Sequence, residues 1–238
     1  MQHKWVIGDI RGDLGLLLKL MDKIAPGQGD VLIFLGSYLG PAPYSQEVIQ
    51  YLIDLQRQPG EFLFLRGCYE WMFPQCIETK PSWEMMQLWE SMGGRKVFQS
   101  YASDKKLVYL TSGGNGNGKA KISCVEIPLR IPSSHLRFLE SSLYQWFEDE
   151  LLPFVACHSG AHPKVLGGEI SPETSAFSVK DWWKEDRLQI PGKDIVFSHV
   201  PFPKPYEAPG KIGIDLGAGL GGRLCAVEMY TREFTIVR

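Results

Sequence analysis

Lys4-Trp5-Val6-Ile7-Gly8-Asp9-Ile10-Arg11-Gly12-Asp13 lies near the start of the chain. A short, mostly apolar run there stops at a glycine, and an acid and a base follow at once. The run Lys4–Ile7 is too short for a helix and reads as a buried strand. Leu14, Leu17, Leu18 and Met21 then recur at helical spacing. Residues 31–35 form a second apolar run, and Ser45 can cap a helix whose Val48, Ile49, Leu52, Ile53 and Leu55 share a stripe. Residues 61–65 supply a third run. Short runs without alternation, separated by amphipathic helices, predict a βαβαβ unit with both faces of a parallel sheet covered.

Outward from that unit the pattern changes. Beyond Ser82, Trp83, Met86, Trp89 and Met92 lie on one side of a helix, a stripe better explained as core than as a cofactor box. Residues 106–111 and 119–127 read as strands flanking Ser112-Gly113-Gly114-Asn115-Gly116-Asn117-Gly118, where Asn-Gly steps suit a hairpin turn. Pro132-Ser133-Ser134 begins another helix, and the later chain is strand-rich at 153–158, 194–199, 211–214, 223–230 and 233–237. With no repeat, linker or low-complexity tail, residues 1–238 are expected to form one domain. Residues 106–127 are expected to be a hairpin insertion that projects as a cap or partner surface.

The balance of 25 Lys+Arg against 27 Asp+Glu gives no electrostatic case for nucleic acid or an anionic membrane. No apolar run approaches the ~20 residues that span a bilayer, and the N-terminal stretch lacks the shape of a signal peptide. Five cysteines, odd in number and without a C-x-x-C pair, argue against a disulfide framework or a structural zinc ribbon. Buried thiols in a cytoplasmic protein are the expectation. Gly217-Ala218-Gly219-Leu220-Gly221-Gly222 satisfies G-x-G-x-x-G. It is followed by strand character rather than the helix that a dinucleotide pyrophosphate needs, so it reads as a tight strand-to-strand connection.

The chemically loaded residues stand at strand ends, where open α/β sheets hold ligands. They are Gly8-Asp9-Ile10-Arg11-Gly12, Gly36-Ser37-Tyr38, Arg66-Gly67-Cys68-Tyr69-Glu70, Cys157-His158-Ser159-Gly160 and Ser198-His199-Val200-Pro201. In order and spacing these resemble the five motifs of the calcineurin-like metallophosphoesterases, closest to bacterial members of the phosphoprotein (serine/threonine) phosphatase family: GDxHG, GDxVDRG, RGNHE, HAG and GHT. Met92-Gly93-Gly94, Ile131-Pro132 before His135-Leu136, and Ile214-Asp215-Leu216-Gly217-Ala218 extend the resemblance over nearly the whole chain. It implies an α/β fold of α/β/β/α type, a β-sandwich flanked by helices.

The resemblance also exposes losses. Asp9, His158 and His199 match metal ligands of the family. Arg11 stands at the first-motif histidine, Ser37 at the metal-bridging aspartate, Cys68 at the asparagine and Tyr69 at the histidine that protonates the leaving group. Arg66 matches a phosphate-binding arginine, Glu70 is kept, and Gly40-Pro41 replaces an Asp-Arg pair. Two-metal hydrolysis needs two divalent ions about 3.5–4 Å apart around a shared hydroxide. At ~5 Å and an effective dielectric of about 20, the Arg11 charge repels a divalent ion by roughly 6 kcal/mol.

The expectation is therefore a pseudophosphatase: a binding, scaffold or regulatory protein whose partner is another protein or a phosphoprotein. Its metal content is at most a single weakly held manganese or zinc ion on Asp9, His158 and His199, with help from Cys68. An altered metal-dependent phosphoesterase recruiting Tyr69 or Cys68 is the alternative. A sensor of phosphate or nucleotide using Arg11 and Arg66 is a second. His3, His135 and His162 fall outside the motifs and are expected on the surface or on helices.

Overall fold

The computed structural model describes residues 2–78, 81–102, 111–115, 119–123, 129–141, 143–177 and 181–238. The first half runs β1 (Lys4–Ile7), α1 (Leu14–Ile24), β2 (Val31–Phe34), α2 (Ser45–Leu55), β3 (Glu61–Phe64), α3 (Cys68–Cys76), α4 (Trp83–Ser91) and α5 (Arg95–Tyr101). Next come β4 (Thr111–Asn115), β5 (Lys119–Ser123), α6 (Ser133–Ser141), β6 (Trp146–Glu148), β7 (Phe154–Cys157), α7 (Pro163–Leu166) and α8 (Pro172–Phe177). A 3-10 turn at Trp182–Lys184 leads to β8 (Asp194–Phe197), β9 (Tyr206–Ala208), β10 (Lys211–Gly213), β11 (Leu224–Glu228) and β12 (Phe234–Val237).

Two five-stranded sheets form, in the orders β12-β11-β1-β2-β3 and β6-β7-β8-β10-β9. β1, β2 and β3 are parallel, as the βαβαβ reading predicts, and β11 joins β1 antiparallel. Side chains alternate across each strand. In β1 and β2, Val6 and Ile33 enter the sandwich between the sheets, where they join Phe154, Ala156, Val196 and Ile212 of the second sheet. Trp5, Ile7, Leu32 and Phe34 point the other way, onto helices that contribute Leu17, Leu20, Val48, Ile49 and Leu52. Both faces being buried, these strands lack polar alternation. The outer face of the second sheet, Val155, Cys157, Ile195 and Phe197, is covered by Trp182 and Val165. The architecture is the expected α/β/β/α sandwich, with the core split among three clusters.

Several local expectations change. Ser45 does not cap α2: it is the first helical residue, and its hydroxyl bonds to Gly40 instead, receiving the Gly40 N–H at 3.1 Å. β4 and β5 pair as a separate two-stranded sheet, so the hairpin belongs to neither large sheet. Its ladder takes in Ser112–Asn115, which the sequence reading gave to the turn, because each pairs with a residue of β5. Residues 106–110, 116–118 and 124–127 of the expected insertion lie outside the described residues. His135 lies on a helix, α6, as one branch of the expectation has it, and is buried there; His162 is buried at the start of α7 rather than superficial. His135 stacks polar contacts to Tyr101 Oη (2.9 Å) and Gln50 Oε1 (3.1 Å), and His162 accepts the Lys164 N–H at the start of α7. The described cysteines Cys68, Cys76, Cys157 and Cys225 are all free and buried, as expected.

Helix α3 was not anticipated. Tyr69, Met72, Phe73 and Cys76 are buried at helical spacing along it, but Trp71 blurs that stripe in the sequence and Pro74 inside the helix lowers its propensity. It matters because it starts at Cys68, at the end of the third strand.

Candidate functional site

The cleft forms where β1, β2 and β3 of one sheet and β7 and β8 of the other end. Its loops are tied to one another by the backbone. Ser37 carbonyl accepts the N–H groups of Ile10 (3.2 Å) and Arg11 (2.6 Å), and Tyr38 carbonyl accepts that of Gly12 (2.8 Å). Within the second sheet Ser198 N–H donates to His158 carbonyl (2.9 Å), and across the sandwich Asp9 N–H donates to Ser198 Oγ (3.0 Å). Glu70 closes the floor. Its carboxylate accepts the N–H groups of Ser37, Tyr38, Leu39 and Gly67 at 2.8–3.1 Å. Burial pushes the Glu70 carboxyl up to about 7, and those N–H donors hold it down against that.

Arg11 lies at 5% exposure inside the cleft. Its fork meets the Asp215 carboxylate with two hydrogen bonds, 2.9 and 2.5 Å, and Nη2 stands 2.8 Å from Asp9 Oδ2. It also reaches the carbonyls of Ala218 (3.5 Å) and His199 (3.4 Å). The Asp9 contact is an ion pair without hydrogen-bond alignment: neither Asp9 oxygen has a hydrogen-bond partner among the described residues. Burial disfavours the Arg11 charge, but Asp9 and Asp215 outweigh that and raise its pKa. A guanidinium flanked by two buried carboxylates leaves a local surplus of negative charge, so the repulsion expected from Arg11 acting alone is offset.

Beside this cluster, Cys68 Sγ and ring nitrogens of His158 and His199 all lie within 4.8 Å of one another. His158 Nδ1 donates to Leu35 carbonyl at 2.9 Å, which assigns the proton to Nδ1 and leaves the Nε2 lone pair facing the cleft. Nε2 accepts a 3.3 Å contact from the Cys68 N–H, and Ser37 Oγ lies 3.5 Å from both Nε2 and Cys68 Sγ. The two imidazole rings meet edge to face at 5.1 Å. Burial lowers the His158 pKa to about 3, helped by Arg11, and that of His199 to about 4. Burial thus favours the neutral form of both rings, in which one nitrogen of each can accept a hydrogen bond or ligate. Burial pushes the Cys68 thiol up to about 12.

Two named candidates do not join the group. Tyr69 turns into the helical layer, where its hydroxyl donates to Met92 carbonyl at 2.5 Å and its ring meets Trp89 edge to face. Arg66 donates to Glu140 carbonyl at 3.0 Å, and Glu70 is occupied by backbone N–H groups rather than by Arg66. Since the Arg11 fork is occupied by Asp215, the two arginines do not present a joint anion clamp.

The sequence reading missed two features. Asp215 was noted only as part of a motif, yet it is the main partner of Arg11 and also accepts the Gly217 N–H at 2.9 Å. The Gly-rich connection does join strands, but it also packs over Arg11: a Cβ on Gly219, whose φ is +76°, would sit 2.5 Å from Arg11 Cβ. In addition Arg11, Ser37 and His199 all have left-handed backbones, with φ of 50°, 51° and 72°. Such non-glycine conformations cost on the order of 1–3 kcal/mol each and gather at functional sites. Residue type alone gives no signal for them.

The two sheets and the helices flanking them form a metallophosphoesterase-like α/β/β/α fold. No family model matches the sequence, and no curated protein matches it. Among solved structures, the chain is similar to a putative diadenosine tetraphosphatase over 99% of its own length and 93% of that chain, at 16% identity and a TM-score of 0.64. A cold-active protein-tyrosine phosphatase of the psychrophile Shewanella sp. matches over 100% and 81%, at 11% identity and a TM-score of 0.59. A metallophosphoesterase from Sphaerobacter thermophilus matches over 100% and 87%, at 15% identity and a TM-score of 0.51. At these identities the likeness establishes the fold alone. No helix among the described residues is long and apolar enough to cross a membrane.

Proposed function

We propose that this protein uses a phosphatase fold for binding rather than for two-metal hydrolysis: a pseudophosphatase acting on a protein or phosphoprotein partner. The observation that carries the reading is Arg11, whose guanidinium lies between Asp9 and Asp215. By resemblance, Asp9 and the residue at position 11 would hold one metal together. Here a fixed organic cation lies against that carboxylate, and a guanidinium cannot generate a metal-bound hydroxide. Ser37 supplies no carboxylate to bridge two ions, and the nearby Glu70 carboxylate is occupied by four backbone N–H groups. Tyr69 is directed away from the cleft, its hydroxyl bonded to Met92 carbonyl, so it does not stand where a general acid would act.

The test is hydrolysis of an aryl phosphate by the purified full-length chain in excess manganese. The expected rate equals that of a buffer blank. Manganese-dependent turnover that disappears in His199→Ala would refute the reading and favour an altered phosphoesterase.

A further inference from the structure

We propose that Cys68, His158 and His199 hold a single zinc ion. The inference deepens the non-hydrolytic reading of the same cleft, and it can fail independently of it. Zinc bound to one thiolate sulfur at ~2.3 Å and two imidazole nitrogens at ~2.0–2.1 Å requires donor separations of about 3.3–3.6 Å. The three donors lie within 4.8 Å of one another, so closure needs side-chain shifts of about 1 Å. The donors arrive on separate, backbone-linked elements: Cys68 opens α3, His158 follows β7 and His199 follows β8.

Two independent observations point to a cation there. His199 Nδ1 is buried with no hydrogen-bond partner among the described residues, whereas the Asp9 carboxylate beside it already faces Arg11. Buried polar atoms in folded proteins are almost always satisfied, so an acceptor left open in the cleft marks a place for positive charge. His158 is also arranged as a metal-bound histidine ordinarily is. Its Nδ1 proton is fixed on Leu35 carbonyl, which orients the ring and frees Nε2.

Charge and donor type then select the ion. Asp9 and Asp215 exceed Arg11 by one negative charge, which offsets the incoming dication. One thiolate and two imidazoles favour zinc over the manganese or magnesium that oxygen-rich sites prefer. Binding forms the sulfur–zinc bond and releases the Cys68 thiol proton to solvent, while the weak Cys68 N–H contact to His158 Nε2 gives way. Three protein donors leave one position on a tetrahedral ion open to an outside ligand.

The experiment uses the full chain, purified from zinc-supplemented cells without a metal-affinity tag and dialysed against a weak chelator. Elemental analysis is expected to give close to one zinc per chain. Cobalt exchanged into the wild-type protein is expected to give a tetrahedral visible spectrum with a near-ultraviolet thiolate charge-transfer band. That band should vanish in Cys68→Ser and persist in Cys157→Ser, which removes a buried thiol outside the group. Zinc below a tenth per chain, together with a cobalt spectrum lacking the thiolate band in folded wild-type protein, would overturn the site. That result would leave the absence of hydrolysis unaffected. Zinc bound stoichiometrically with manganese-dependent turnover would instead uphold the site and refute the non-hydrolytic reading.

Discussion

Replacing Arg11 with alanine tests the central arrangement of the cleft most directly. The substitution removes two hydrogen bonds to Asp215 and the 2.8 Å ion pair with Asp9, and leaves two carboxylates whose side chains are fully buried. Breaking a buried pair by deleting one partner costs about 3–5 kcal/mol, mostly the penalty of stranding the charge. Both residues carry a Cβ, so the strain of the left-handed backbone at position 11 is present before and after and cancels. Against a total stability of about 5–15 kcal/mol, the loss is a large fraction. In a chain of this size it should lower the melting temperature by roughly 6–20 °C. Urea unfolding followed by tryptophan fluorescence measures it, with Arg11→Lys as a companion that keeps charge but loses the fork. The lysine variant should fall between wild type and alanine. A double-mutant cycle with Asp215→Ala should return a coupling above about 1 kcal/mol, since the two side chains touch. Arg11→Ala within about 1 kcal/mol of wild type, or a coupling near zero, would refute the view that the guanidinium satisfies these carboxylates.

Other perturbations follow from the same geometry. Tyr69→Phe should destabilise by about 1 kcal/mol through loss of the bond to Met92 carbonyl and leave zinc stoichiometry unchanged; a fall in bound metal would place the hydroxyl in the cleft after all. Gly219→Ala meets both a φ of +76° and a 2.5 Å approach to Arg11 Cβ, so a loss of at least about 2 kcal/mol is expected, and a neutral result in chemical denaturation would contradict the packing of that loop. Glu148 is held near a pKa of about 2 by hydrogen bonds from Lys164 and Lys193, against an ordinary value of 4.5. A depressed acid contributes stability that is complete above pH 4.5 and is lost as pH falls towards 2, so Glu148→Gln should flatten the stability profile over that window. The effect should shrink in high salt, because the site is partly exposed; an unchanged acid limb in low salt would count against the pairing.

The strands and main helices were legible because their signal is local. β1 is predicted and observed at Lys4–Ile7, and β2 and β3 each end one residue earlier than the apolar runs suggest. Helix α3 was hidden because Trp71 blurs its apolar stripe and Pro74 inside it lowers its helix propensity. The cleft was legible to the extent that a strand end implies direction: Asp9, Arg11, Ser37, Cys68, His158 and His199 do converge. Tyr69 and Arg66 share a motif with Cys68, yet adjacent residues at a helix start point in different directions, about 100° apart. Spacing alone could not say which of them faces the cleft. Asp215 was missed because its partner lies 204 positions away in sequence, and nothing local to either residue encodes that meeting.

Glu70 carries a consequence for motion. One carboxylate gathers N–H groups from the loop after β2 and from the turn into α3, so the floor of the cleft behaves as one piece. Those four amides should exchange with deuterium only when that piece opens as a whole, giving them a shared, slow rate.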